Sequence, residues 1–206
     1  MRRMNEIAPR RTYTSPLREA AAQRTRDAIV AAAAALFAGK GYAGTTIAEI
    51  AREAGVAVRT VHTACPGGKF GLFREALDAA SSLPPVRDPA AEGDVVERVV
   101  GYSVDVLERT GPLLSAAIEA SGADPVMREF AEETIRDTRE NAATIAEGLA
   151  ASNLLRAEVS VDRAADVLFA VVSPQMHDML RRRCAWSVTD YREFVVRTLR
   201  SAVLHP

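Results

Sequence analysis

The sequence lacks most of the residues that would staple a chain or run chemistry on it. Two cysteines occur in 206 residues, Cys65 and Cys184. That is too few for a disulfide framework, and neither has a metal-ligand partner nearby. Such usage fits a reducing compartment, the cytoplasm. Aromatics make up 5% of the chain, and runs of alternating Val, Thr and Tyr bounded by turn residues are missing, which argues against a sheet. The Gly-x-Ser-x-Gly, P-loop and HExxH patterns are absent, and His62, His177 and His205 are scattered. No catalytic constellation, metal site or cofactor is expected. The apolar run AIVAAAAALFA, residues 28–38, is too short to cross a bilayer. It starts after Asp27 and sets Ile29, Leu36 and Phe37 on one helical face, so it reads as a buried helix rather than a signal peptide.

What the sequence does have is alanine, and charge of uneven placement. Nearly half the residues are hydrophobic and 26% are charged, a composition for an all-α fold with a sizeable core. Residues 1–74 carry twelve Lys and Arg against five Asp and Glu, a net +7, while residues 75–206 carry fourteen against twenty-two, a net −8. A basic head that meets a polyanion, on a body that does not, is the expectation.

The helix signals are local. Residues 1–15 are basic and lack apolar period, as a flexible arm would. Ser15-Pro16 opens a helix to about Ala38, before Gly39 and Gly41. Thr46 with Glu49 forms a capping box, and Gly55 ends the short helix that it opens. Val58 to Ala64 is the next helix, stopped by Pro66-Gly67-Gly68, and Lys69 opens another to about Ser81. Leu83–Gly93, with three prolines, is the linker. The domains are therefore a head, 16–82, and a body, 83–206. In the body the expected helices are Asp94–Arg109, Pro112–Ala120, Pro125–Ser152, Val161–Arg183, kinked at Pro174, and Val188–Leu204. The last two have apolar stripes wide enough for a core and a partner chain together, Val196, Leu199 and Val203 flanking the stripe of the final one.

Residues 46–64 read as a helix-turn-helix. Ile47, Ile50, Ala51, Val56 and Val61 form its interior, and Gly55 supplies the turn. The second helix of such a unit enters the major groove, exposing Ala57, Arg59, Thr60, His62 and Thr63. Arg59 suits a bidentate bond to guanine. Thr60 and Thr63 suit phosphate or a thymine methyl. Thr45 and Thr46 place a hydroxyl and helix-start amides at the backbone, and Lys69 adds a phosphate contact. In the body, Tyr102, Met127, Phe130, Phe169, Met176 and Trp186 are the apolar and aromatic candidates for a ligand pocket.

The run GYAGTTIAEIAREAGVAVRTV, residues 41–61, resembles the DNA-binding domain of TetR/AcrR-family transcriptional regulators. Gly41, Tyr42, Thr45, Thr46, Ile50, Ala51, Ala54, Gly55, Val56 and Thr60 match its pattern. VDRAADVLFAVVSP and RRRCAWSVTDYREFVVRTL, residues 161–174 and 181–199, are similar to the family's last two helices, which dimerise. The resemblance implies an all-α homodimer with a three-helix, helix-turn-helix head and a C-terminal ligand-binding and dimerisation domain. It implies a repressor, released from a pseudo-palindromic duplex DNA operator by a small molecule, without a membrane or an enzymatic activity. The alternative from another class is a helical adaptor whose degraded head binds a protein. The departures are His62, Cys65 and Pro66. The family has aromatic residues at the first two positions, and Pro66 is an extra residue, expected to loosen the turn before Lys69.

Overall fold

The computed structural model describes residues 16–82 and 94–205. The expected arm, 1–15, and linker, 83–93, lie outside the described residues. Apart from one isolated bridge between Leu155 and Leu204, these residues are helices and their connections.

Helix α1, Pro16–Lys40, buries Ile29, Ala32, Ala33 and Phe37, the stripe of a half-buried helix. It runs two residues beyond the expected Ala38. Gly41 stops it at a φ of 76°, its amide donating to the Phe37 carbonyl at 3.0 Å. This is a left-handed cap that glycine adopts at little cost. Helices α2, Ile47–Glu53, and α3, Val58–Ala64, follow, and α4 spans Gly68–Ser82.

In the body, α5 is a single helix, Val95–Ala120, with Pro112 inside it. Two helices were expected here. Proline costs a helix about 3 kcal/mol, but burial of Val104, Leu107, Leu113, Ala116 and Ala117 on either side of Pro112 outweighs that. Helix α6, Pro125–Ala151, is capped by Asp124. The expected helix over Val161–Arg183 is not continuous either. Helix α7 spans only Val161–Val171, and Ser173 caps a new start at Pro174. The four-residue α8, Pro174–His177, then runs into a π-helical stretch, Asp178–Arg183. Proline disfavours helical geometry at the residue before it and suits the first position of a helix, and here it breaks the helix rather than kinking it. Helix α9, Val188–Ala202, opens on a capping box of Ser187 and Asp190.

Two apolar clusters result. One joins α1–α4 to the α5–α6 corner through Leu113, Ala117, Ala120, Met127 and Phe130. The other fills the space between α5, α6, α7 and α9. The core of the head therefore does not stop at residue 82. Val196, Leu199 and Val203, expected beside a partner-facing stripe, are buried in the second cluster.

A polar network crosses the body. Arg181 donates twice to Glu108, at 2.6 and 2.9 Å, and the buried ring of His177 lies 2.8 Å from the same carboxylate. Arg181 also donates to the Trp186 carbonyl. The bonds from Arg181, then from His177, hold the Glu108 pKa below the ordinary glutamate value. Arg182 and Arg183 pair with Asp178. The arginine triplet is thus spent on internal carboxylates.

Candidate nucleic-acid interface and body cavity

Helix α3 is short because its start has no side-chain cap and its end is closed by a turn. Only Val61 faces fully inward. Ala57, Arg59, His62 and Thr63 are exposed, and Thr60 is half-buried. The Thr63 hydroxyl donates to the Arg59 carbonyl at 2.9 Å, which leaves its lone pairs and methyl outward. The left-handed Gly55, φ 67°, lets Val56 donate back to Ala51 at 2.9 Å. That fold-back sets the α2–α3 angle. The expected outer row of α3 is therefore presented together on one surface.

Thr46 and Glu49 close the capping box. The Thr46 amide donates to the Glu49 carboxylate at 2.9 Å, and the Glu49 amide donates to the Thr46 hydroxyl at 3.2 Å. Lys40 donates to the same carboxylate at 2.8 Å. Bonds from the Lys40 and Thr46 side chains pull the Glu49 pKa down to about 2. Thr45 corrects the sequence expectation. It is 1% exposed, and its hydroxyl donates toward the Gly41 and Leu36 carbonyls, at 2.9 and 3.2 Å. It serves the loose carbonyls at the end of α1, so its hydroxyl does not reach the outer surface.

The turn after α3 is tight, contrary to the loosening expected of Pro66. Arg26 on α1 donates to the Ala64 carbonyl at 2.7 Å and pairs with Glu75 on α4 at 2.9 Å. The Cys65 thiol, 1% exposed, reaches the same Glu75 at 3.7 Å. Burial, and then Glu75, raises the Cys65 pKa. A Cβ on Gly67 would stand 2.9 Å from the Gly71 Cα, and Gly68 has a φ of 64°. Both glycines are needed for the backbone to reverse this closely. Lys69 then places its ammonium 4.3 Å from the centre of the Tyr42 ring, a cation–π contact. Burial lowers its pKa, while Asp124 and Glu49 oppose that.

The spacing did not single out Arg26, Lys40 or Arg52. Arg52 is exposed on α2, a cation that a count along that helix would have found. The contact from Arg26 to Ala64 spans 38 positions and has no local signal.

In the body, a cavity of about 700 Å³ lies between α5, α6 and α7. From α5 its wall takes Arg98, Tyr102, Leu107, Thr110 and Leu114. From α6 and α7 come Asn141, Thr144, Ile145, Leu168 and Phe169, with Pro174 beyond the end of α7. Of the six pocket candidates, Tyr102 and Phe169 stand on this wall. Met127 and Phe130 do not: Met127 is fully buried and Phe130 nearly so, both in the core shared with the head. Met176 packs against the body cluster, and Trp186 meets Phe194 edge-on at 5.6 Å. Apolar side chains serve a core and a pocket wall equally, so composition alone did not separate them.

Comparison with known proteins agrees with this anatomy. Residues 29–76 match the family model described as bacterial regulatory proteins, tetR family. A TetR transcriptional regulator from Chloroflexus aurantiacus is 26% identical, with a TM-score of 0.66 over 91% of this chain and 100% of that one. NalD from Pseudomonas aeruginosa, the secondary repressor of the MexAB-OprM multidrug efflux pump, is 22% identical, with a TM-score of 0.64 over 89% and 98%. A protein from Saccharomonospora viridis, solved in complex with choline, is 20% identical, with a TM-score of 0.68 over 89% and 100%. Among curated proteins none matches. No helix of the described residues is long and apolar enough to cross a membrane.

Proposed function

We propose, from the premise that the chain is a TetR-family DNA-binding transcriptional regulator, that it is a homodimeric, cytoplasmic repressor which a small molecule in the α5–α6–α7 cavity releases from its operator. The observation that carries this reading is the position of Leu114. Leu114 lines the cavity and also packs against the core that holds the head. From there the rings of Phe130, Phe73, Phe37 and Tyr42 stand in sequence, with centroids 5.3 to 5.6 Å apart. Phe73 lies on α4, whose start is joined to α3 by the Pro66–Gly68 turn. A ligand that shifts the cavity floor moves α4, and with it the reading helix. Close-packed cores transmit such shifts because they do not absorb them.

On DNA, Arg59 reads a guanine, and Thr46, Ala57, Thr60, His62, Thr63 and Lys69 line the groove and backbone. Tyr102 and Phe169 contact the ligand. The dimer forms through the segment from α7 to α9. There Met179 is 52% exposed and Trp186 and Phe194 are only partly covered, which supports an additional surface to be buried. Two heads engage half-sites about 34–36 Å apart, so a small change in their spacing is enough for release. The ligand's effect equals its differential affinity for the two states, typically ~1–3 kcal/mol. Transcription in vitro from a promoter that overlaps the bound duplex is the test. Adding the protein is expected to reduce the transcript, and an unchanged or increased transcript overturns the repressor reading.

A further inference from the structure

Helix α3 begins with an apolar side chain that the core of the head does not take in. Val58 is its first residue and is 43% exposed. The valines on either side of it that join the core are Val56 and Val61. Among the described residues of the head, the other exposed large apolar side chain is Leu17, in the first turn of α1.

Helix stability does not account for valine at this place. An exposed first turn favours a carboxylate, which meets the positive end of the helix dipole, and valine is a poorer helix former than alanine or glutamate. The first turn of α3 has no acidic residue, and its cap, Ala57, makes no side-chain bond. The backbone is nevertheless fixed, since the Ala57 carbonyl accepts from the Thr60 and Val61 amides at 2.8 and 3.3 Å. Val58 therefore has a defined position. Its branched side chain is already restricted at χ1 in a helix, so covering its methyls costs little rotamer entropy.

The N-terminal residues of a helix that enters the major groove are the ones that contact base edges. Arg59 is the next residue, about 1.5 Å further along the axis, which is less than one base step of about 3.4 Å. Val58 and Arg59 thus address the same base pair or its neighbour. Base edges in the major groove present donors, acceptors and one apolar group, the thymine C5-methyl. Packed on a donor or an acceptor, valine would leave that group unpaired. Packed on the methyl, it leaves no polar group unpaired. Ala57, also exposed, is too small to hold the groove away.

We infer that Val58 is a specificity-determining residue, whose methyls pack on the C5-methyl of a thymine beside the guanine that Arg59 reads. This rests on the reading of α3 as the helix in the groove, and the test keeps the two apart. The full-length chain first selects duplexes from a random pool. Anisotropy titrations at one stated salt concentration then compare the selected duplex with one in which deoxyuridine replaces that thymine in one half-site. The exchange removes the methyl and nothing else. The selected half-sites should carry a thymine next to the guanine. The wild type should bind the deoxyuridine duplex about fourfold more weakly, as loss of one buried methyl-sized group gives. Val58→Ala should bind the two duplexes equally and melt as the wild type does, because the side chain it shortens is exposed. Equal affinity of the wild type for both duplexes, a Val58→Ala variant that still tells them apart, or half-sites without that thymine each overturns the inference and leaves DNA reading by α3 standing. A retained pool with no enriched sequence overturns the reading of α3, and this inference with it.

Discussion

The ring of Phe130, on α6 of the body, meets the ring of Phe73, on α4 of the head, edge-on, with centroids 5.3 Å apart and planes at 86°. Phe73 is at the same time packed against Phe37 and Tyr42. One side chain from the body thus closes the core of the head, and the two parts cannot move independently without opening it.

Phe130→Ala should therefore have two effects. Loss of a buried phenylalanine costs about 3–5 kcal/mol, read as a lower denaturant midpoint. In addition, ligand binding should no longer change DNA affinity in a variant that still folds. Unaltered coupling in the folded variant would place the route from cavity to head elsewhere.

Arg59→Ala should weaken specific DNA binding by about 1–3 kcal/mol and relax one operator position, as loss of a bidentate guanine contact does. Arg59 is exposed on the outer row of α3. Equal weakening on every sequence would reassign it to phosphate.

The three glycines after α3 should respond with opposite signs. Gly67→Ala drives a Cβ to 2.9 Å from the Gly71 backbone and should cost about 1–3 kcal/mol. Gly68→Ala, at φ 64°, should cost about 1–2 kcal/mol. At Gly71, inside α4, a Cβ meets nothing within 4 Å, and Gly71→Ala should stabilise by about 0.5–1 kcal/mol. Denaturant titration of the three variants decides. Equal effects would mean that the turn is not the close approach described here.

The pH dependence of the head has a defined sign at Glu49. Its carboxyl is held at about 2, against an ordinary value of 4.5, first by the Lys40 bond and then by Thr46. A depressed folded pKa stabilises above the unfolded value and loses that contribution as pH falls through the folded one. The stability difference between wild type and Glu49→Gln should thus be full at pH 7 and close between about pH 4.5 and 2. Melting curves of both proteins across that range measure it, and a gap independent of pH would mean that the ionised carboxylate contributes nothing.

The starts of α2, α5, α6, α7 and α9 were legible because their caps, Thr46, Asp94, Asp124, Ser160 and Ser187, are chemistry between residues two or three positions apart. The limits of α3 were legible for the same reason, from Gly55 before it and Pro66 after it. Pro112 was misread because its effect depends on what the helix buries on either side. Pro174 was misread because a wide apolar stripe continues across the break. The outer row of α3 followed from helical spacing with Val61 inward. Thr45 did not, since a threonine beside a cap can turn to solvent or to the carbonyls behind it. Contacts such as those from Arg181 to Glu108, 73 positions apart, leave no trace in any window of sequence.

The central claim is that α3 reads duplex DNA as half of a two-fold pair. Sequencing the duplexes that the full-length protein retains from a random pool, at one stated salt concentration, tests it most directly. The account expects an inverted repeat whose half-sites are separated by one helical turn, about 10–10.5 base pairs, or a multiple of it, with a guanine in each half-site that is no longer required by Arg59→Ala. A retained pool with no enriched sequence, or an enriched single site without two-fold symmetry, would contradict it.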